Sequence, residues 1–296
     1  DGNDCRTGEE GEPNTPETFL NKRTSALVGS QVDAIFYCTG VLNSYTHKSD
    51  ESETRKHGDR YQNEFGWELI KQGRDSLQII VDFGHKHRMD VFWSMRMNDT
   101  HDSADPALFS RWKKDHPENL MGKKGDDFLY GGGRWSGLNY GIPESREKVF
   151  RIQKDVCTRY DVDGIEMDFF RHPVYFKPQM TGDRVEQKHC DMMTEFLARI
   201  RRMADDVGRS RGRPFLISVR VPDSLGYAKA IGLDLSRWLE DDLVDIIVGG
   251  GYFHFEPWEN LVTLAKQHHV PAYACLSNSR IRDQSQEETM PHCHVS

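Results

Sequence analysis

The sequence predicts an α/β fold, a (β/α)8 TIM barrel that in this chain lacks most of its first strand and its last strand. Three observations carry that reading. Short apolar runs alternate with segments of helical period along the chain, the pattern of parallel strands joined by helical crossovers. The strand starts repeat as Val32-Asp33-Ala34-Ile35, Val162-Asp163-Gly164-Ile165 and Val244-Asp245-Ile246-Ile247. Each strand runs out into a polar, aromatic-rich loop, and no phosphate-binding glycine loop follows the first strand. Six strands and a strand tail at residue 1 would also suit an open doubly wound sheet; the loops favour the barrel. One domain, residues 1–296, is expected.

In order, residues 1–14 read as a loop. Thr15-Pro16-Glu17 supplies a cap and then a proline at the first helical position, and the helix should run to about Val28. Val32–Thr39 is a strand ending at Gly40, followed by a polar loop over 43–61 with His47 and His57. Trp67–His87 is periodic through Leu69, Ile70, Leu77, Ile80 and Val81, hence a helix. Met89–Met97 is a strand, with Asn98-Asp99-Thr100-His101-Asp102 as its mouth. An excursion from Ser103 to Tyr140 carries Trp112, Trp135 and Gly131-Gly132-Gly133; so long a loop is functional or disordered. Pro143–Arg159 is a helix leading into the central stretch, Tyr160–Pro173. Glu186–Val207 is a long amphipathic helix, Phe215–Val221 a strand ending at Pro222-Asp223, and Leu233–Leu239 a short helix. Val244–Val248 is a strand running into Gly249-Gly250-Gly251-Tyr252. Trp258–His268 is a helix, Ala272–Leu276 a strand, and the tail from Ser277 is polar.

Composition narrows the function. No stretch approaches the roughly 20 apolar residues of a membrane span. The formal charge of −8 argues against a nucleic-acid partner. The basic cluster from Arg199 to Arg213 reads as a solvated helix face. Six cysteines show no Cys-x-x-Cys pair and no zinc spacing, and Cys38 and Cys275 lie in apolar runs as expected buried thiols. No metal or cofactor is expected. His85-x-His87 resembles a metal pair but falls at a helix end, on the wrong face of a barrel. Oligomeric state is not legible.

Chemistry concentrates at Glu166 and Asp168. Their period of two sends both carboxylates from one face of a buried strand, and Asp168 falls where the apolar run stops, at the C-terminal end where barrels keep their chemistry. Its structural alternative is to cap the next turn or pair with Arg171. Glu166, one pleat deeper, should meet Arg96 and Arg220 in an Arg–Glu–Arg ladder. A glycosidase needs a second carboxylate, about 5 Å away in retaining enzymes and about 6.5–9.5 Å in inverting ones. Glu256, Asp223 and Asp99 are the candidates, in that order. Arg96, Asn98, Asp99, Asn139, Arg171, Tyr252, His254 and Trp258 are the expected substrate contacts, with His101 and His172 as further polar groups. Tyr37, Trp93, Trp135 and Tyr140 would either stack on sugars or pack in the core.

These residues carry a resemblance. Ser136-Gly137-Leu138-Asn139-Tyr140-Gly141-Ile142-Pro143-Glu144-Ser145-Arg146, then a helix, then Tyr160 to Asp168, is similar to the glycosyl-hydrolase-like family 10 barrels. The strand with Trp93 and the segment His116-Pro117-Glu118 are also similar, so the match covers about residues 80–173. Tyr140, Glu166 and Phe169 stand where that family has proline, histidine and a second aspartate. The resemblance implies a TIM barrel acting on glycans, with Asp168 matching the family's strand-four aspartate. It also favours an extracytoplasmic location. α-Amylase-type barrels share the same order of motifs, with that aspartate as nucleophile. In a chitinase-type barrel the catalytic glutamate would fall at Phe170, which excludes that chemistry here. The expected function is therefore a glycoside hydrolase on a poly- or oligosaccharide, with Asp168 as nucleophile or stabilising carboxylate and Glu256 or Asp223 as acid. The alternatives are a carbohydrate-binding pseudo-enzyme on the same barrel, or a metal-dependent barrel enzyme or lyase using Asp99, His101 and Asp168.

Overall fold

The computed structural model describes residues 5, 12–55, 64–129, 133–250 and 256–275. Its strands are β1 (Ala34–Tyr37), β2 (Gly40–Val41), β3 (Ser44–Tyr45), β4 (Glu53–Thr54), β5 (Asp90–Arg96), β6 (Gly164–Asp168), β7 (Leu216–Val221), β8 (Ile246–Gly249) and β9 (Ala272–Ala274). Its helices are α1 (Pro16–Asn21), α2 (Glu64–Lys71), α3 (Ser76–Lys86), α4 (Arg111–Asp115), α5 (Pro143–Arg159), α6 (Pro178–Thr181), α7 (Gln187–Arg211), α8 (Leu225–Ala230), α9 (Leu235–Glu240) and α10 (Trp258–Gln267). The main sheet has six parallel strands in the order β1-β5-β6-β7-β8-β9. That sequential order with helical crossovers is a partial (β/α)8 barrel, as the sequence predicts. The strand tail at residue 1, His57, Gly131, Gly132, Tyr252, His254 and the tail from Ser277 lie outside the described residues.

The repeated Val-Asp start has a structural cause. Asp163 Oδ2 accepts the Val91 N–H at 2.8 Å, and Asp245 Oδ2 accepts the Ile217 N–H at 2.7 Å. Each carboxylate thus ties its own strand to the preceding one at the lower end of the sheet, fixing the register. Arg213 and His85 also hold Asp163, which places His85 at the bottom of the barrel as expected. The basic cluster differs from the solvated face that its sequence suggests. Arg201 binds Asp205, Asp245 and the Phe215 carbonyl. Arg211 donates to the carbonyls of Cys157 and Tyr160 at the end of α5 and to that of Val162 just before β6. These arginines fasten helices to strand starts.

All five residues of β6 are buried between β5 and β7. Gly164 begins it because a Cβ there would strike the Leu216 carbonyl and the Phe92 ring. One hydrophobic cluster runs from Phe19 through Trp93, Ile165 and Ile217 to Leu261. Tyr37, Trp93 and Tyr140 belong to it, so these rings pack the core and do not meet sugar. Trp135 is half-buried against Phe109, with ring centroids 5.3 Å apart.

Several element boundaries differ from the sequence reading. The helix expected to reach Val28 stops at Asn21, and a 3-10 turn follows over Ser25–Leu27. The span Trp67–His87 divides into α2 and α3, because the Asp75 side chain caps α3 by accepting the Gln78 N–H. Helix α8 has no counterpart in the sequence pattern; the Ser224 hydroxyl caps it by accepting the Tyr227 N–H. Cys38 and Cys275 are half-buried, not fully buried. The excursion after β5 is folded onto the barrel. Leu120 and Leu138 form a bridge across it, and a buried Lys113–Asp102 ion pair at 2.5 Å pins it, with the Ser136 hydroxyl donating to Asp102.

Candidate active site

The candidate active site is built around the C-terminal end of β6. The register aligns Arg96, Asp168 and Arg220 across β5, β6 and β7, and aligns Ser94, Glu166 and Ser218 one pleat below. Glu166 accepts the Ser94 hydroxyl at 2.6 Å and Arg220 Nη2 at 2.9 and 3.2 Å. Burial pushes its carboxyl above the ordinary range, and Arg220 offsets this only in part. Half of the expected ladder is therefore present. Arg96 is level with Asp168, not Glu166, and its guanidinium turns forward to Asp99 Oδ2 at 2.9 Å. Arg220 Nη1 sits 3.7 Å from Asp168 Oδ2, so one guanidinium serves both acids of the strand.

Asp168 is 5% exposed. Its Oδ1 accepts the N–H groups of Phe170 and Arg171 at 2.9 and 3.0 Å. It does cap the turn after its strand, and its side-chain ion partner is Arg220.

Beside it, the loop after β5 forms a second polar group. Asp99 Oδ1 accepts the His101 N–H at 2.8 Å and His101 Nδ1 at 2.6 Å, and Oδ2 takes Arg96. Burial opposes ionisation of Asp99, yet the bonds from His101 and the charge of Arg96 hold its carboxyl far below the usual range. Asp99 is fully buried and anchors its neighbours. Asp99, His101 and His172 offer ligand atoms within 4.8 Å of one another. The metal set suggested by the sequence was Asp99, His101 and Asp168; the structure groups His172 instead. These atoms are already engaged. His101 Nε2 takes Arg171 Nη2 at 3.0 Å, and His172 Nδ1 takes the Thr100 N–H at 2.9 Å. Two arginines beside the group also oppose a divalent cation, so the donor set does not fit one.

The remaining expected residues are placed as follows. Asp223 is buried, three residues beyond Arg220 in the β7 loop. Glu256 lies at the rim, accepting the Ser224 hydroxyl at 2.6 Å and Asn260 Nδ2 at 3.3 Å. Those bonds, with the backbone at Gly226 and Leu225, lower its carboxyl below the ordinary range. Asn98 is buried, donating to the Leu138 and Val174 carbonyls and accepting the Leu138 N–H. With its oxygen and nitrogen both taken, Asn98 fastens the mouth, and meeting substrate would require breaking those bonds. Asn139 Oδ1 accepts the Gly141 N–H at 3.0 Å and shapes the turn into α5. Trp258 is half-buried, its ring against Gly249 of β8. The sequence reading missed Arg134, whose Nη1 donates to Thr100 Oγ1 at 2.9 Å. Its place in a long glycine-rich excursion gave no periodic signal.

A parallel partial barrel with an aspartate at the C-terminal end of a central strand is the architecture of barrel enzymes, which keep their chemistry at that end. The chain belongs to the family described as Glycosyl hydrolase-like 10, which matches residues 43–191, half of its length. No curated protein sequence matches it. Among solved structures it is similar to the PgaB (BpsB) glycoside hydrolase domain from Bordetella bronchiseptica, at 10% identity and a TM-score of 0.50, covering 98% of this chain and 90% of that one. It is also similar to a noncanonic maltogenic α-amylase, AmyB, from Thermotoga neapolitana (17% identity, TM-score 0.43, 83% of this chain and 47% of that one). A third is a glycoside hydrolase family 18 N-acetylglucosaminidase from Paenibacillus barengoltzii (13%, 0.41, 68% and 55%). The chain spans about half the length of these last two proteins. Among the described residues, no helix is long and apolar enough to cross a membrane.

Proposed function

We propose that this chain hydrolyses glycosidic bonds in a poly- or oligosaccharide, with Asp168 as nucleophile or as the carboxylate that stabilises an oxocarbenium-like transition state. The observation that carries this reading is the setting of Asp168. Two backbone N–H groups hold Oδ1, and Arg220 lies beside Oδ2, an arrangement that fixes the orientation of the carboxyl group at the end of β6. Asp223 is the first choice for proton donor, ahead of Glu256. A general acid needs a raised pKa, whereas the bonds to Glu256 lower its own. Asp223 is buried in the loop after the strand that flanks Asp168. Arg96 and Arg171 would orient sugar hydroxyls or acidic groups.

Release of reducing ends from a panel of glycans tests the proposal. An active glycan should lose turnover with Asp168→Asn and with Asp223→Asn, and keep most of it with Glu256→Gln. Full activity of Asp168→Asn would overturn the assignment. One observation favours a second reading, a carbohydrate-binding barrel without turnover: both Asp168 oxygens already have partners and the residue is 5% exposed. That reading expects glycan binding, no hydrolysis, and unchanged affinity in Asp223→Asn.

A further inference from the structure

We propose that Arg134 and Arg171 form an anion-holding subsite, so that the glycan bound beside Asp168 carries a carboxylate or sulfate on the sugar lying there. The inference rests on the glycan-binding part of the reading above, not on hydrolysis.

Arg171 joins the two places. Its backbone N–H is on Asp168 Oδ1 and its guanidinium is on His101 Nε2. Arg134 approaches from the excursion, where it opens a 3-10 turn over Arg134–Ser136, and donates to Thr100 Oγ1. Thr100 in turn meets His172 Nδ1, and the His101 and His172 rings stand 5.0 Å apart. The two arginines thus flank one histidine pair. Arg134 is half-buried and, among the described residues, makes no ion pair, its one hydrogen bond going to an uncharged hydroxyl. Burial and the nearby charge of Arg171 both lower its pKa. The buried Asp99 offsets this only in part and does not pair with Arg134, so a guanidinium held partly out of water beside a like charge is stabilised by an anion arriving between them.

The tautomers agree. His172 Nδ1 accepts a backbone N–H, and burial with Arg134 nearby pushes the ring down to about 3, so it is neutral with its proton on Nε2. His101 accepts Arg171 on Nε2 and therefore donates from Nδ1 to Asp99. The group offers two guanidiniums, both donors. Such a set suits the planar fork of a carboxylate or the oxygens of a sulfate better than a neutral hydroxyl.

The test reads binding by calorimetry, with unsulfated chondroitin hexasaccharide, its 4-sulfated form and neutral chitohexaose as probes. Wild type should bind at least one anionic probe roughly tenfold tighter than the neutral one. Which anionic probe gains more separates a carboxylate site from a sulfate site. Arg134→Gln should remove the preference while leaving chitohexaose affinity unchanged, and Arg134→Lys, which keeps the charge, should retain most of it. The preference should shrink as salt rises. Equal affinity for all three probes, binding of none, or an unchanged preference in a folded Arg134→Gln protein would each overturn the proposal. Turnover is not read. An inactive protein that prefers the anionic probes keeps this inference and removes the hydrolase reading; a hydrolase indifferent to charge does the reverse.

Discussion

Arg220 holds Glu166 and Asp168 at the same time: Nη2 lies 2.9 Å from Glu166 Oε1, and Nη1 lies 3.7 Å from Asp168 Oδ2. The register puts Arg220 level with Asp168, and its length lets it reach back one pleat. Removing it with Arg220→Met leaves Glu166 without its cation and Asp168 with only the charge of Arg96, which is bound to Asp99. A loss of about 3 kcal/mol is expected, toward the lower end for a broken buried pair because the arginine is partly exposed. Urea unfolding checks this, and adding Glu166→Gln to the same protein should restore part of the loss.

Under the proposed function Asp168 has two separable duties. Asparagine keeps an Oδ1 that can accept the Phe170 and Arg171 N–H groups, so Asp168→Asn should cost under about 1 kcal/mol. Asp168→Ala also removes the cap and should cost about 1–2 kcal/mol. Turnover should fall by about 100-fold or more in both. Thermal melts beside initial rates separate the two effects.

Stability should rise with pH between about 4 and 6.5. Burial pushes His47 down to about 4, against the opposing charges of Asp75 and Asp155, with Arg159 reinforcing the shift. Its folded value lies below its unfolded one, so the native state binds fewer protons in that window. The contribution is complete above pH 6.5 and is lost as pH falls, to a total of about 3 kcal/mol. His172 acts in the same direction. Denaturant midpoints measured across this range should slope upward, and His47→Gln should flatten the slope.

The excursion should depend on its buried ion pair. Lys113 and Asp102 are both fully buried, so Lys113→Met strands a carboxylate and should cost about 3–5 kcal/mol. Limited proteolysis should then cut within 103–140 first, whereas Lys113→Met with Asp102→Leu should resist it better.

Much of the architecture was legible because it rests on local chemistry. A cap followed by proline marked α1, and short apolar runs marked β5, β6 and β7. The Val-Asp repeat was visible, though its register-tying role needed the neighbouring N–H groups. What failed was decided by tertiary contact. Arg96 was expected at Glu166 because strand depth was counted without register, and one pleat moves every partner. Asn98 and Asp99 looked like open mouth residues, yet both are buried, Asn98 against the excursion at Leu138 and Asp99 between Arg96 and His101. Arg134 carried no pattern at all, because its importance comes from Thr100 and Arg171, both distant in sequence.

Asn98 ties the end of β5 to the backbone at Leu138 and at Val174, two segments that otherwise belong to separate loops. These sides of the mouth are consequently assembled before any ligand arrives. The entropy of ordering them is a cost met during folding, not at encounter. Stopped-flow association with a glycan should then follow a single exponential, linear in ligand concentration, and Asn98→Ala should introduce a slower, saturating phase.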